Sequence, residues 1–213
     1  MQDTTSSHSL ILLFFRAALL NNYILAKFLG VCTCLACSDS LKKANAVGFS
    51  VFLIMTVSNS LNWVIYNNFI RKGALSWIPI EEAKTMDMSY INFLVLISLT
   101  CGSVQVLVIL LEAIAPRLSS SIGVYMRLLA VNCAILAACT NSLEENHTIS
   151  EHLSYQMGAG CGWWLAVLLL AGLRQRARIS SPIPQAKGTP ILFVMMGLTS
   201  MSFAAFSGLD LSS

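Results

Sequence analysis

The chemistry open to this chain of 213 residues is concentrated in seven cysteines: Cys32, Cys34, Cys37, Cys101, Cys133, Cys139 and Cys161. Thiolates bind soft metals or do redox work, but a free cysteine is also a small apolar residue that stays inert when buried. Three of the seven fall in the run Cys32-Thr33-Cys34-Leu35-Ala36-Cys37, which holds a single CxxC. No second, distant pair follows at the spacing of a zinc site. An iron–sulfur cluster takes four cysteine ligands. Two thiolates therefore need two more, from Cys34, Cys37, another cysteine or a partner chain.

Charged residues inside apolar stretches are functional suspects. Arg16 and Lys27 sit in such a stretch. Arg16, near its outer end, is expected to snorkel to the interface. Lys27 is close to Cys32 in sequence and is placed either to snorkel or to balance the charge of a thiolate-bound cluster. Glu112 is expected as a solvated carboxylate beside Arg117, and His8, His147 and His152 as solvated histidines in outward tails or loops. There is no Ser/His/Asp arrangement, phosphate loop or dinucleotide fingerprint, so hydride chemistry by this chain alone is not expected.

The elements that must position these residues follow from composition. The chain is 56% hydrophobic and 11% charged, with mean hydropathy +0.71, whereas a soluble domain carries roughly 25% charged residues. A soluble enzyme and a disordered chain are excluded, and a disulfide-stapled secreted domain is disfavoured. A net charge of +3 is too small to suggest nucleic acid. The chain reads as an all-α integral membrane protein.

Six stretches approach the roughly 20 apolar residues needed to cross the hydrocarbon core: Ser9 to Val31, Ala44 to Tyr66, Tyr90 to Ile114, Tyr125 to Thr140, Gln156 to Leu173, and Pro190 to Leu209. The first lacks the basic amino end and the small-residue cleavage site of a signal peptide. Lys42, Lys43, Arg117, Arg127, Arg174, Arg176, Arg178 and Lys187 fall on one side, and Arg71, Lys72 and Lys84 on the other. Lys and Arg mark the cytoplasmic side, so both termini are expected to be extracytoplasmic. Trp163 and Trp164 sit inside the fifth stretch rather than at its rim, which argues against an anchoring role.

Six spans divide into two inverted three-helix repeats, residues 1–116 and 117–213. Spans one and four are then counterparts, and both are irregular: the first carries Asn21, Asn22 and Cys32, the fourth is short and carries Asn132 and Cys133. Interrupted helices at matching places point to a site near the membrane midplane. Position therefore lifts Cys32 and Cys133 above the other cysteines.

The residues also carry a resemblance. Asn22-Tyr23-Ile24-Leu25-Ala26-Lys27-Phe28-Leu29-Gly30-Val31-Cys32-Thr33 resembles the first-helix signature of the integral membrane subunits shared by the Na+-translocating NADH:quinone oxidoreductase and the Rnf complex. Val131-Asn132-Cys133-Ala134-Ile135 resembles the matching fourth-helix motif. Gly172-Leu173-Arg174 resembles the family's Gly-Ile-Arg stop, and the run Gly197 to Gly208 its last helix. Val64-Ile65-Tyr66-Asn67, Met88-Ser89-Tyr90-Ile91-Asn92-Phe93 and the Cys-Thr after Gly-Val resemble the E-type rather than the D-type branch.

The resemblance implies a fold and a role. E-type and D-type subunits insert in opposite senses and together hold a 2Fe-2S cluster in the membrane, two cysteines from each. Carried over, the ligands here are Cys32 and Cys133. The implied partners are the D-type paralogue, the NADH-oxidising flavoprotein and the rest of a six-subunit complex in the bacterial inner membrane. FAD, FMN and riboflavin sit in other subunits, quinone is met only indirectly, and Na+ export is the coupled step. The resemblance leaves an Rnf-type ferredoxin:NAD oxidoreductase component as an alternative, while the inverted repeats by themselves also fit a non-redox transporter with a midplane ion site, and a purely structural membrane subunit is the third reading. Three departures stand out. Met126-Arg127-Leu128-Leu129-Ala130 lacks the family's proline before Asn-Cys, Val108 replaces an acidic residue implicated in Na+ handling with Glu112 one turn on, and Cys34 and Cys37 are extra.

Overall fold

Hydrocarbon offers no partner to a backbone N–H or C=O, so a chain of this composition must satisfy those groups within its own helices. The computed structural model, which describes residues 10–70, 89–114, 125, 128–145, 147–179 and 189–207, is helical accordingly. Helix α1 spans Leu10–Leu20, its last turn a π-helix over Arg16–Leu20. Then come α2 (Val31–Cys37), α3 (Leu41–Ile65, running into a π-helical turn Tyr66–Ile70), α4 (Ser89–Ile114), α5 (Cys133–Glu144), α6 (Ile149–Ile179) and α7 (Thr189–Ser207). No strand occurs among the described residues.

Leu41–Asn68, Phe93–Leu110 and Ile149–Ala177 are long and apolar enough to cross a membrane, with shorter apolar helices at Leu10–Leu20 and Pro190–Ala204. All six apolar stretches contain helix, and two are broken, the first over 21–30 and the fourth over 130–132. Two boundaries differ from the sequence reading. Lys42 and Lys43 lie in the first turn of α3, because Ser40 accepts the Lys43 amide as an N-cap and starts the helix early. Helix α6 begins at Ile149, ahead of the apolar stretch from Gln156, so it takes in His152. Arg71, Lys72, Lys84, Arg117, Arg127, Lys187 and His8 lie outside the described residues.

Helix α6 is the frame. Its 31 residues extend about 46 Å at 1.5 Å per residue, longer than the roughly 30 Å hydrocarbon core. Helix α3 packs along it, with Trp164 of α6 laid on Gly48 and on the rings of Phe49 and Phe52. Helix α1 meets α6 through Gly158 and Gly162, one turn apart, where a β-carbon would press into the carbonyls of Phe14 and Ala18. Small residues four apart bring helix backbones close where lipid supplies no hydrophobic drive.

The two ends of the bundle are pinned differently. At one, Arg174 donates to the Leu35 carbonyl and the Ser38 hydroxyl (3.4 and 2.9 Å) and lies 3.6 Å from Asp39. The turn after α2 and the end of α6 are therefore on one side, as the grouping of Lys42, Lys43 and Arg174 requires. At the other, Trp63 Nε1 donates to the His147 carbonyl (3.2 Å).

Gly162→Ala is expected to overpack the α1–α6 seam, costing about 1–3 kcal/mol. Thermal unfolding in detergent should show this loss, while Gly172→Ala, where a β-carbon meets nothing within 4 Å, leaves the transition unmoved. Equal transitions for the two variants would remove the close approach as the cause.

Candidate functional site

The first break is built by Asn22. Its Oδ1 accepts the amides of Ile24 and Leu25 (3.1 and 3.2 Å), and its Nδ2 donates to the Gly162 carbonyl of α6 (2.8 Å) and to the Ala18 carbonyl (3.3 Å). One carboxamide thus caps the irregular segment and ties it to the frame, and the Ser200 hydroxyl of α7 donates to the Leu25 carbonyl. The segment re-enters helix through Phe28 at φ 54° and Gly30 at φ 77°. The left-handed region is unstrained for Gly30, and only glycine fits the space there. A β-carbon at Gly30 would stand 2.7 Å from Trp163 Nε1 and 2.8 Å from Asn132 Oδ1.

The second break is built by Asn132, whose Oδ1 accepts the Ala134 amide (2.9 Å) as the N-cap of α5. Asparagine is among the strongest N-cap residues, so its carboxamide suffices to start α5 at this point.

The two breaks meet. The Gly30 amide donates to Cys133 Sγ at 2.9 Å, and Gly30 lies against Trp163, the middle residue of the apolar span Ile149–Ala177. Cys32 and Cys133 therefore stand in the first turns of α2 and α5, near the midplane of the span, Cys32 exposed and Cys133 half-buried. Cys34 and Cys37 face the other way and are fully buried, with Cys37 Sγ donating to the Cys34 carbonyl (3.6 Å). Cys139 is buried against Asn62 Nδ2 (3.2 Å). Cys101 is exposed on α4, its Sγ 3.9 Å from the Ala130 carbonyl. Cys161 is half-buried on α6.

Several polar atoms around the crossing are buried without a hydrogen-bond partner: Trp163 Nε1, Asn132 Nδ2 and Thr33 Oγ1. Lys27 is exposed and holds its ammonium over the Tyr23 ring, 5.0 Å from the centroid. Arg16 is exposed. Glu112 is exposed in the last turn of α4. Among the described residues no three His, Cys, Asp or Glu side chains are grouped to hold a metal ion.

The histidine expectation is corrected. His152 is fully buried, its Nε2 3.1 Å from the Asn59 carbonyl and its Nδ1 2.7 Å from the Ser142 hydroxyl. The carbonyl can only accept, so Nε2 carries the proton and Nδ1 accepts from Ser142. His147 is partly buried and lies 2.8 Å from Glu145. A polar core beside the site was also missed. Asn59 Nδ2 donates to Gln156 Oε1 (2.9 Å) and the Ile135 carbonyl (3.2 Å), and Gln156 Nε2 donates to the Ala138 carbonyl (3.0 Å). Its trace in sequence is His152 and Gln156 four apart at the head of the fifth span, with Asn59 and Asn62 three apart in the second.

Comparison with known proteins agrees with this architecture. A family model described as Rnf-Nqr subunit, membrane protein, matches residues 10–210. Proteins named as the E-type subunit of the Na(+)-translocating NADH-quinone reductase are similar along nearly the whole chain. The one from Marinobacter nauticus is 37% identical over 93% of this chain and 97% of its own length. The one from Alcanivorax borkumensis is 36% identical over the same shares, and the one from Chlamydia trachomatis serovar D 35% identical over 94% of this chain and 82% of its own. A multi-pass helical membrane protein matched over this range belongs to the Rnf-Nqr family of membrane subunits.

Proposed function

We propose that this chain is the E-type membrane subunit of a bacterial Na+-translocating NADH–quinone reductase, and that Cys32 and Cys133 are its two ligands to a 2Fe-2S cluster shared with a D-type paralogue. The observation that carries the reading is the Gly30 amide on Cys133 Sγ, at the crossing of two helix breaks near mid-span. The relatives' names supply the complex and the coupled Na+ transport. The donor set suits such a cluster. Two thiols stand at the first turns of two helices, one of them exposed to a neighbouring subunit, and a backbone N–H is already aimed at sulfur. A metal held here draws its remaining ligands from another chain, which fits two cysteines from each partner.

When bound, the cluster supplies one-electron transfer on the way from the NADH-oxidising flavoprotein to the flavins and quinone. This chain's residues hold it in place. The Gly30 amide stabilises negative charge on the Cys133 sulfur. The capped amino end of α5 adds about half a positive charge from its helix dipole. Asn22 and Asn132 cap the freed backbone, so the two thiols keep fixed places. The matching breaks support two inverted repeats, 1–116 and 117–213, and the grouped basic residues support extracytoplasmic termini.

Three outcomes are expected. Cys32→Ser and Cys133→Ser, in complexes checked for all their subunits, should each lose the cluster's EPR signal and at least about tenfold of quinone reduction, because an alkoxide matches iron poorly. NADH oxidation by an artificial acceptor should survive. Full activity with intact signal in both variants would return the chain to a transporter or structural role. The double variant Cys34→Ala/Cys37→Ala should keep cluster and activity, at a cost of about 1–3 kcal/mol in stability from lost core packing. Loss of iron would show that the wrong thiols were assigned. A cysteine placed at Asp3 or Ser213 should label only from the extracytoplasmic side; cytoplasmic labelling would overturn the topology.

A further inference from the structure

Lys27 is a cation at membrane depth with no anionic partner among the described residues. It lies in the first break between Ala26 and Phe28, and all three residues are exposed. The carboxylates of Glu145 and Glu151 lie by His147 and that of Asp39 by Arg174, and none among the described residues pairs with Lys27. The ammonium instead lies over the Tyr23 ring, 5.0 Å from its centroid.

Depth separates this lysine from one that snorkels. Tyr23 is fully buried, and its hydroxyl is bonded to the Tyr155 hydroxyl (2.7 Å) and to Asn141 Nδ2 (3.1 Å). Tyr155 stands eight residues, about 12 Å, from Trp163 at the middle of the α6 span. Half of the hydrocarbon core is about 15 Å. The ammonium over that ring is still in hydrocarbon, where a charge is costly unless it is paired. The Tyr23 hydroxyl points towards the His147 end of the bundle, whereas Cys32 opens α2, which runs to the Arg174 end. The chain thus directs this cation away from the cluster ligands.

The backbone makes a second demand. Non-helical backbone at membrane depth is tolerated only where protein or a water-filled cavity covers it. Phe28 closes the turn in the left-handed region (φ 54°), where glycine is favoured, and its side chain is 50% exposed. A cation, an aromatic ring and irregular backbone therefore share one uncovered segment.

We propose that the D-type paralogue covers residues 26–28 and that one of its carboxylates forms an ion pair with Lys27 inside the membrane. Carboxylates are the side chains that are anionic at neutral pH. Lipid phosphates lie outside the hydrocarbon and do not reach a charge at this depth. The segment is continuous with the cluster-bearing surface, because Cys32, five residues further on, is exposed as well. The identity of the partner rests on the shared cluster proposed above.

The test uses the whole purified complex. Dicyclohexylcarbodiimide, which dissolves in membranes, converts a carboxylate to an O-acylurea, and an amine in contact with it displaces the urea and leaves an amide. Mass spectrometry of the unaltered complex is expected to find Lys27 joined to an aspartate or glutamate of the D-type subunit. Lys27→Arg, which keeps the charge but forms no such amide, should assemble normally and lose the link. Lys27→Met, which leaves the carboxylate bare, should recover about tenfold less D-type subunit. No link from Lys27, or a link to any carboxylate outside the D-type subunit, overturns the inference, and this readout decides if Lys27→Met fails to fold. Full assembly of Lys27→Met overturns it too, as does labelling of Lys27 in the assembled complex by a water-soluble amine reagent. EPR reads the cluster separately. A cluster signal without the link removes only the ion pair, whereas absence of any cluster signal in the unaltered complex overturns the functional reading itself.

Discussion

A helix broken inside hydrocarbon must have every freed N–H and C=O answered from within the protein, because each one left bare costs several kcal/mol. Two asparagines meet that demand, and the rest of the arrangement depends on them. Asn22 answers two amides and two carbonyls with a single side chain. Asn132 opens α5 and presents the following residue, Cys133, at the first turn of that helix. Without those caps the first and fourth stretches would gain by running straight through the membrane. Cys32 and Cys133 would then be two ordinary apolar side chains on separate helices.

The breaks need a rigid support, and α6 provides it. Gly158 and Gly162 let α1 approach its backbone, and the Gly162 carbonyl receives the Asn22 carboxamide, so packing and capping share one point of contact. One residue further, Trp163 fills the space behind Gly30. On the neighbouring faces, Asn59, Gln156, His152 and Ser142 form a buried polar network linking α3, α5 and α6. Buried polar pairs in a membrane interior contribute modestly to association, but they fix which faces meet. A purely apolar seam of the same area would tolerate rotation of α6, and the crossing at Gly30 would not.

Much of this was legible in the amino-acid sequence. Low charge and long apolar runs are averages over many residues, so they establish a membrane protein and its helical stretches whatever the packing. The breaks were legible because asparagine and glycine in an apolar run act locally: capping and left-handed backbone need only neighbouring residues. The grouping of Lys42, Lys43 and Arg174 pointed to one end of the bundle, and the contacts of Arg174 with Ser38 and Asp39 agree.

What only the tertiary structure decided is the set of contacts between segments far apart in the chain. Asn22 meets Gly162 across 140 positions, and Gly30 meets Cys133 across 103. No local pattern encodes either. Cys34 and Cys37 turn inward while Cys32 turns out, although all three lie in one short helix, because the rotation of α2 is set by what α3 and α6 leave open to it. In the sequence His152 falls in an outward loop ahead of the fifth apolar stretch. It is buried because α3 brings the Asn59 carbonyl to one ring nitrogen and α5 brings the Ser142 hydroxyl to the other. Composition and local capping determined that this chain crosses a membrane and where its helices break. Burial and the pairing of breaks are properties of surfaces brought together, and only the packed helices decide them.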